Sequence, residues 1–193
     1  MPVSDQDQIA DSVKQETHGT SLDGVTEEAL ERVRAGWQNH GYFKVQVTGE
    51  ARTLTSRPAS RRIALFVQVE EGAQYKLSRI TFRNNRAIND VNALRSLFPI
   101  KDGDIFSRER IGKGLENLRK AYGQFGYVNF TSVPDTRFDD ENESISLDID
   151  VDEGKQFSIS SVDVVGLDEP SQEEILKDFP VGRVYNILQH KNL

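Results

Sequence analysis

Apolar and polar residues alternate strictly at Ile145, Leu147, Ile149 and Val151, the period-two pattern of a strand with one buried face. The same alternation runs through Ile63, Leu65, Val67 and Val69. Elsewhere the period lengthens. Ile111, Leu115, Leu118, Tyr122 and Phe125 fall on one stripe of a helix, with Ser107 placed to cap its start and Gly126 to end it. Asp90 to Leu97 predicts a shorter helix, with Val91, Leu94 and Leu97 at helical spacing and Pro99 beyond. Ile80 and Phe82 give a short strand closed by the turn signal Asn84-Asn85. Val128 and Phe130 begin another, and "PDTRFDDENES" reads as the polar loop of a hairpin. The order is strand, helix, helix, strand, strand within about 80 residues, near the small end of domain sizes.

That order recurs. "VEEGAQYKLSRITF" from Val69 aligns on "VDEGKQFSISSVDV" from Val151, about 82 residues on. "LFPIKDGDIFS" matches "DFPVGRVYN", and "RVRAGWQNHGYFKVQV" matches "NLRKAYGQFGYVNFTS", setting Gly41-Tyr42 over Gly126-Tyr127. Three matches in one order make the chain a tandem array. The expected division is residues 1–71 for a partial repeat lacking its first strand, 72–153 for a complete repeat, and 154–193 for a partial repeat truncated at its second helix. In the first copy, Ile9 to Lys14 and Thr26 to His40 are the expected helices, with Leu30, Val33 and Trp37 inward. Its expected strands are Phe43 to Thr48 and Arg61 to Glu70. The last copy is expected to keep its opening strand and short helix. The chain thus reads as a stretch of a longer array.

Composition removes several functions. Lys plus Arg total 24 against 31 Asp plus Glu, a net charge of -7, which argues against a general nucleic-acid binder. Cysteine is absent, so disulfides, thiolate metal sites and cysteine nucleophiles are excluded. No apolar run approaches the ~20 residues of a membrane helix, and "MPVSDQDQIADSVKQE" lacks the features of a signal peptide, so the chain as given is expected to be soluble.

Candidate chemistry is sparse. The acidic pairs Glu70-Glu71 and Asp152-Glu153 suit a hard cation by ligand type, but they lack calcium-loop spacing and adjacent strand residues face opposite ways. They are expected to be solvated strand ends. "GKGLENL" at Gly112 lacks the full phosphate-loop signature and lies in the long helical stripe. His18, His40 and His190 are scattered, without metal-ligand spacing. No catalytic constellation can be assembled, so the expectation is a non-enzyme without metal or cofactor.

The element order, the long helix running into Gly-Tyr in "GLENLRKAYGQFGYVNF", and the alternating strand running into an acidic-Gly turn in "SISLDIDVDEGKQFSISSVDVVG" resemble POTRA repeats. These are the repeats of BamA-type outer-membrane assembly factors, the bacterial surface antigen family. The resemblance covers nearly the whole chain. It implies an α+β tandem array of β-α-α-β-β domains, each a three-stranded sheet with two helices on one face. It also implies the periplasmic face of the outer membrane, a C-terminal transmembrane β-barrel, unfolded outer-membrane protein clients and accessory assembly lipoproteins. Rival readings are the POTRA region of a two-partner secretion or translocation-assembly transporter, and a POTRA-type adaptor with a fixed partner; three copies disfavour the adaptor.

Two sites are expected. A three-stranded sheet leaves strand edges whose unpaired backbone groups pair with another extended chain, tolerant of its sequence. The resemblance places the strand after the long helix at the edge: Val128, Asn129, Phe130, Thr131, Ser132 and Val133, with Phe43 to Thr48 as its counterpart in the first copy. The second site is the joint between repeats. Tyr75 and Leu77 share one parity while Ile80 and Phe82 share the other, and Phe157 and Ile159 switch likewise against Val162 and Val164. A strand whose apolar face flips needs a bulge or break. Tyr75, Leu77, Phe157 and Ile159 are therefore expected to pack towards the preceding repeat, as a hinge in which Glu153-Gly154 supplies the bend.

Overall fold

The computed structural model describes residues 1–16, 21–57, 60–166 and 168–177. The elements are α1 (Val3–Glu16), α2 (Leu22–Asn39), β1 (Gln46–Arg57), β2 (Ser60–Glu70), β3 (Lys76–Arg83), α3 (Val91–Ser96), α4 (Arg108–Gln124), β4 (Thr131–Asp139), β5 (Ser144–Asp152) and α5 (Glu169–Leu176). They form two sheets, β1-β2 and β3-β5-β4, so the fold is α+β. The matches at "DFPVGRVYN", and the predicted stop of the last repeat, lie outside the described residues, as do His18 and His190.

The chain falls into two compact units. One holds Met1–Arg79, Ile100–Ile111 and Phe138–Ser146. Its α2 starts at Ser21, whose hydroxyl accepts from the Gly24 amide at 3.1 Å and satisfies one orphan donor of the first turn. The apolar stripe of α2 buries Ala29, Val33 and Trp37 against Val13 of α1 and Val45 and Val47. β1 and β2 form an antiparallel hairpin registered from Gln46↔Glu70 to Arg57↔Ser60, with a shift between Thr53 and Thr55. The hairpin is longer than the alternation indicated: backbone pairing carries β1 past Thr48 to Arg57, and Arg52 lies over the Phe66 ring at 5.0 Å.

The other unit holds Ile80–Pro99, Gly112–Arg137 and Leu147–Leu193. Asp90 caps α3, its carboxylate accepting from the Asn92 and Ala93 amides. Its core gathers Leu94, Phe98, Leu118, Tyr122, Phe130, Leu147, Ile149 and Val151. The inward series of β5 is the strict alternation seen in the sequence. On the opposite face Asp148 meets Arg83 at 3.0 Å and Arg137 at 2.9 Å, and also Thr81, so a nearly buried carboxylate ties β3 and β4 to the central strand.

Four expectations need correction. The strand after α4 begins at Thr131, not Val128. Val128 donates its amide to Gly126 O at 3.0 Å and Phe130 to Tyr127 O at 3.2 Å, so Val128, Asn129 and Phe130 make a tight turn instead. Most of "PDTRFDDENES" is strand: β4 runs to Asp139 and only Asp140–Glu143 turns. Pro134 is tolerated there because β4 is an edge strand. Phe125 lies past the end of α4 and is exposed rather than on its buried stripe. Residues 157–165, the expected opening strand of the last copy, belong to no named strand.

Candidate functional site

Both candidate regions are backbone structures. In the sheet order β3-β5-β4 the edges are β3 and β4, and they differ. Leu77 turns both its backbone groups away from β5. Its amide donates to Asp104 O at 2.8 Å and its carbonyl accepts from Gly103 N at 2.7 Å, while Lys76 bridges Ile105. The segment Gly103–Ile105 therefore covers the start of β3. Among the described residues no strand flanks the outer side of β4. Thr131, Ser132 and Val133 open that edge, Val133 being exposed. Val128, Asn129 and Phe130 stand outside it, and the local bonds of Val128 and Phe130 leave those two amides nothing to offer another chain.

The turns that follow the two long helices repeat one construction. Gly41 and Gly126 follow the two long helices with φ of 88° and 80°, the left-handed region glycine adopts without strain. The Gly41 carbonyl accepts the Tyr75 amide at 2.9 Å, and the Gly126 carbonyl accepts the Phe157 amide at 2.9 Å. The preceding glutamines match as well: Gln74 Nε2 donates to His40 O at 2.8 Å and Gln156 Nε2 to Phe125 O at 2.9 Å. Gly72 and Gly154, in the acidic turns, have φ of 71° and 66°. Burial along β3 moves from Leu77 to Ile80, which is the change of parity read from the sequence.

The side chains at these two places diverge. Tyr75 is 3% exposed and Phe157 is 43% exposed; Leu77 is buried and Ile159 half-buried. Tyr75 packs edge-on against Phe138 with ring centroids 5.6 Å apart, and its hydroxyl donates to Asp140 Oδ1 at 2.7 Å. Lys44 Nζ sits 2.7 and 2.9 Å from the two Asp140 oxygens. Asp140 and Lys44 hold each other charged, so the Lys44 ammonium is shifted up and the Asp140 carboxyl down, with Tyr75 assisting both.

The acidic turns are not merely solvated. Glu153 Oε1 accepts from Tyr122 Oη at 3.1 Å and from the Ala87 amide at 2.8 Å. Glu71 Oε1 accepts from Trp37 Nε1 at 3.1 Å, and its carboxyl is held below the usual range by the Met1 ammonium and then Trp37. Trp37 and Tyr122 occupy matching places in α2 and α4. Sequence reasoning placed both aromatics in the core but missed that each has a polar atom needing a partner, which points to the acid at the strand end. Among the described residues no cluster of three His, Asp or Glu side chains is arranged to hold a metal ion. Gly112 and Gly114 lie within α4. No helix among the described residues is long and apolar enough to cross a membrane.

The family model described as POTRA, surface antigen variable number repeat, matches residues 75–154. The chain is 21% identical over 148 residues to outer membrane protein assembly factor BamA of Buchnera aphidicola, covering 77% of this chain and 23% of that protein. It is 24% identical over 164 residues to a putative outer membrane protein assembly factor of Treponema pallidum, covering 84% of this chain and 20% of that protein. The chain thus spans about a fifth of the length of these curated relatives. The crystal structure of Haemophilus influenzae BamA POTRA3–5 superposes with a TM-score of 0.63 at 22% identity, over 89% of this chain and 68% of that one. That likeness is one of fold.

Proposed function

We propose that this chain is the periplasmic scaffold segment of an outer-membrane β-barrel assembly protein, a reading supported by the match of residues 75–154 to the POTRA family model and by the similarity to BamA relatives. In this reading it is attached to a C-terminal barrel and works with accessory lipoproteins. It divides at residues 71/72 and 153/154, so that each joint lies between two repeats. Unfolded clients add as extra strands to β4 from Thr131 onward. Tyr75, Leu77, Glu153, Gly154, Phe157 and Ile159 set the angle at which one repeat follows another.

The observation that carries the client site is the difference between the two edges. Gly103–Ile105 already pairs with the start of β3, while β4 keeps an outward row of backbone groups. Backbone bonds of this kind are indifferent to side-chain identity, as a protein with many unfolded β clients requires. Pro134 removes one donor within the strand, which limits how long an added strand stays in register.

The test is an amide chemical-shift titration of the whole chain with a synthetic barrel-strand peptide. Shifts should cluster in Thr131–Asp139 and be weaker across Lys76–Arg83. Shifts centred elsewhere, or none at saturating peptide, would overturn the client reading.

A further inference from the structure

The first joint carries a side-chain cluster that the second cannot form. Lys44 Nζ contacts both oxygens of Asp140, and Tyr75 Oη donates to one of them. The ammonium lies 4.8 Å from the Phe138 ring centroid and 5.5 Å from that of Tyr75, within cation–π range. Phe43 stands beside it, 5.4 Å from Phe106 and 5.2 Å from Phe138 between centroids. This cluster joins the turn that follows α2 to the far end of β4, 96 residues away along the chain. In the second joint the matching positions are Val128, Asn129 and Phe157, which supply neither a cation nor a phenol. The backbone bonds of the joint nevertheless form there. The cluster is therefore not what makes the joint fold.

We propose that Lys44, Asp140 and Tyr75 form an electrostatic latch that selects one orientation of the β1-β2 hairpin and α2 about the Gly41–Tyr75 hydrogen bond. The latch rests on the joint reading given above and is independent of client binding at β4. Lys44 and Asp140 are both largely solvent-accessible, so the pair adds little to global stability and is weakened by salt. A small preference is sufficient for its task, because orientations that differ little in free energy change population several-fold when one contact is lost. Phe138 completes the latch by giving the ammonium an apolar floor, and Phe43 packs against that ring.

Because the chain has no cysteine, a spin-label pair can be installed cleanly at Thr48→Cys and Lys101→Cys, both exposed. Distance distributions are measured by pulsed electron spin resonance on the full chain. The parent should give one narrow distribution at low salt that broadens in 1 M sodium chloride. Lys44→Ala and Asp140→Asn should each broaden it at low salt, with the unfolding midpoint moved little. The charge exchange of Lys44→Asp with Asp140→Lys should narrow it again. A parent distribution that is already broad, or one that keeps its width in both single variants while they remain folded, overturns the latch. Peptide shifts at β4 that persist in Lys44→Ala keep the client reading separate from this outcome.

Discussion

The phenol of Tyr122 donates to Glu153 Oε1 at 3.1 Å, and the indole of Trp37 donates to Glu71 Oε1 at the same distance. In both copies the most deeply set aromatic of the long helix is anchored by the acid that ends the last strand. Tyr122 is fully buried, and burial, then the charge of Glu153, raises its pKa. The acid that invites a metal reading in the sequence is thus the acceptor a buried hydroxyl requires.

Removing either partner is predicted to cost stability, but not equally. Tyr122→Phe deletes one hydrogen bond and keeps the ring stacked on Phe130 at 4.3 Å, so it should cost about 1 kcal/mol. Glu153→Ala leaves both the phenol and the Ala87 amide without their acceptor and should cost about 1–3 kcal/mol. Tyr122→Ala also opens a cavity and should cost about 3–5 kcal/mol. Urea unfolding measures all three. A Glu153→Ala variant as stable as the parent would show the carboxylate to be idle.

Gly112 and Gly114 share one helix and are predicted to respond in opposite ways to alanine. A Cβ at Gly112 meets nothing within 4 Å, so Gly112→Ala should stabilise by up to about 1 kcal/mol through helix propensity. A Cβ at Gly114 would stand 2.0 Å from Phe98 Cδ1, and a buried ring has no room to retreat. Gly114→Ala should destabilise by about 1–3 kcal/mol despite the same propensity gain. Paired melting curves decide it, and the same sign for both would contradict the packing.

The difference between those two glycines marks what the sequence can tell. The stripe Ile111, Leu118, Tyr122 and the alternation at Ile145 to Val151 are period signals, and both survive as buried faces. Gly114 carries no such signal, because its reason is a ring from another element. Asp148 is similar: on the polar face of β5 it reads as solvent-exposed, yet it is nearly buried between Arg83 and Arg137. The start of β4 was misplaced for a local reason. Val128 and Phe130 alternate like a strand, but the chain leaving Gly126 must first make the turn that Tyr127 and Gly126 carbonyls accept. The change of parity along β3 is legible in the sequence, whereas the Lys44–Asp140 contact is not, since nothing in either segment points to the other.

Gly41 should be less replaceable than Gly72, although both have positive φ. At Gly72 a Cβ would meet nothing within 4 Å, so Gly72→Ala should cost only the left-handed backbone penalty of about 1–2 kcal/mol. At Gly41 the added atom would lie 2.7 Å from Ile105 Cγ2 and 2.9 Å from the Tyr75 carbonyl oxygen. Relief there would have to move the backbone of Gly41 and Tyr75, which a hydrogen bond links at 2.9 Å. Gly41→Ala should therefore cost clearly more, and the Tyr75 amide should lose hydrogen-exchange protection. Equal costs for the two variants would show that the backbone around Gly41 yields to the extra carbon.

The carboxyl of Asp140 provides a pH test. The Lys44 ammonium first, and the Tyr75 hydroxyl second, hold its pKa below the ordinary aspartate value of 3.8. A carboxyl depressed in the folded chain contributes stability above its unfolded value and loses it as pH falls through the folded one. The contact should hence be whole at neutral and mildly acid pH and fail only below pH 3.8. A carbon-13 titration of the Asp140 carboxyl in the intact chain should give a midpoint under 3.8, and Lys44→Ala should bring it upward toward that value. Tyr75→Phe should raise it by less, since a lost neutral donor removes less than a lost cation. A parent midpoint at or above the ordinary value, unmoved by Lys44→Ala, would mean that the ammonium and the carboxylate do not sense each other in solution.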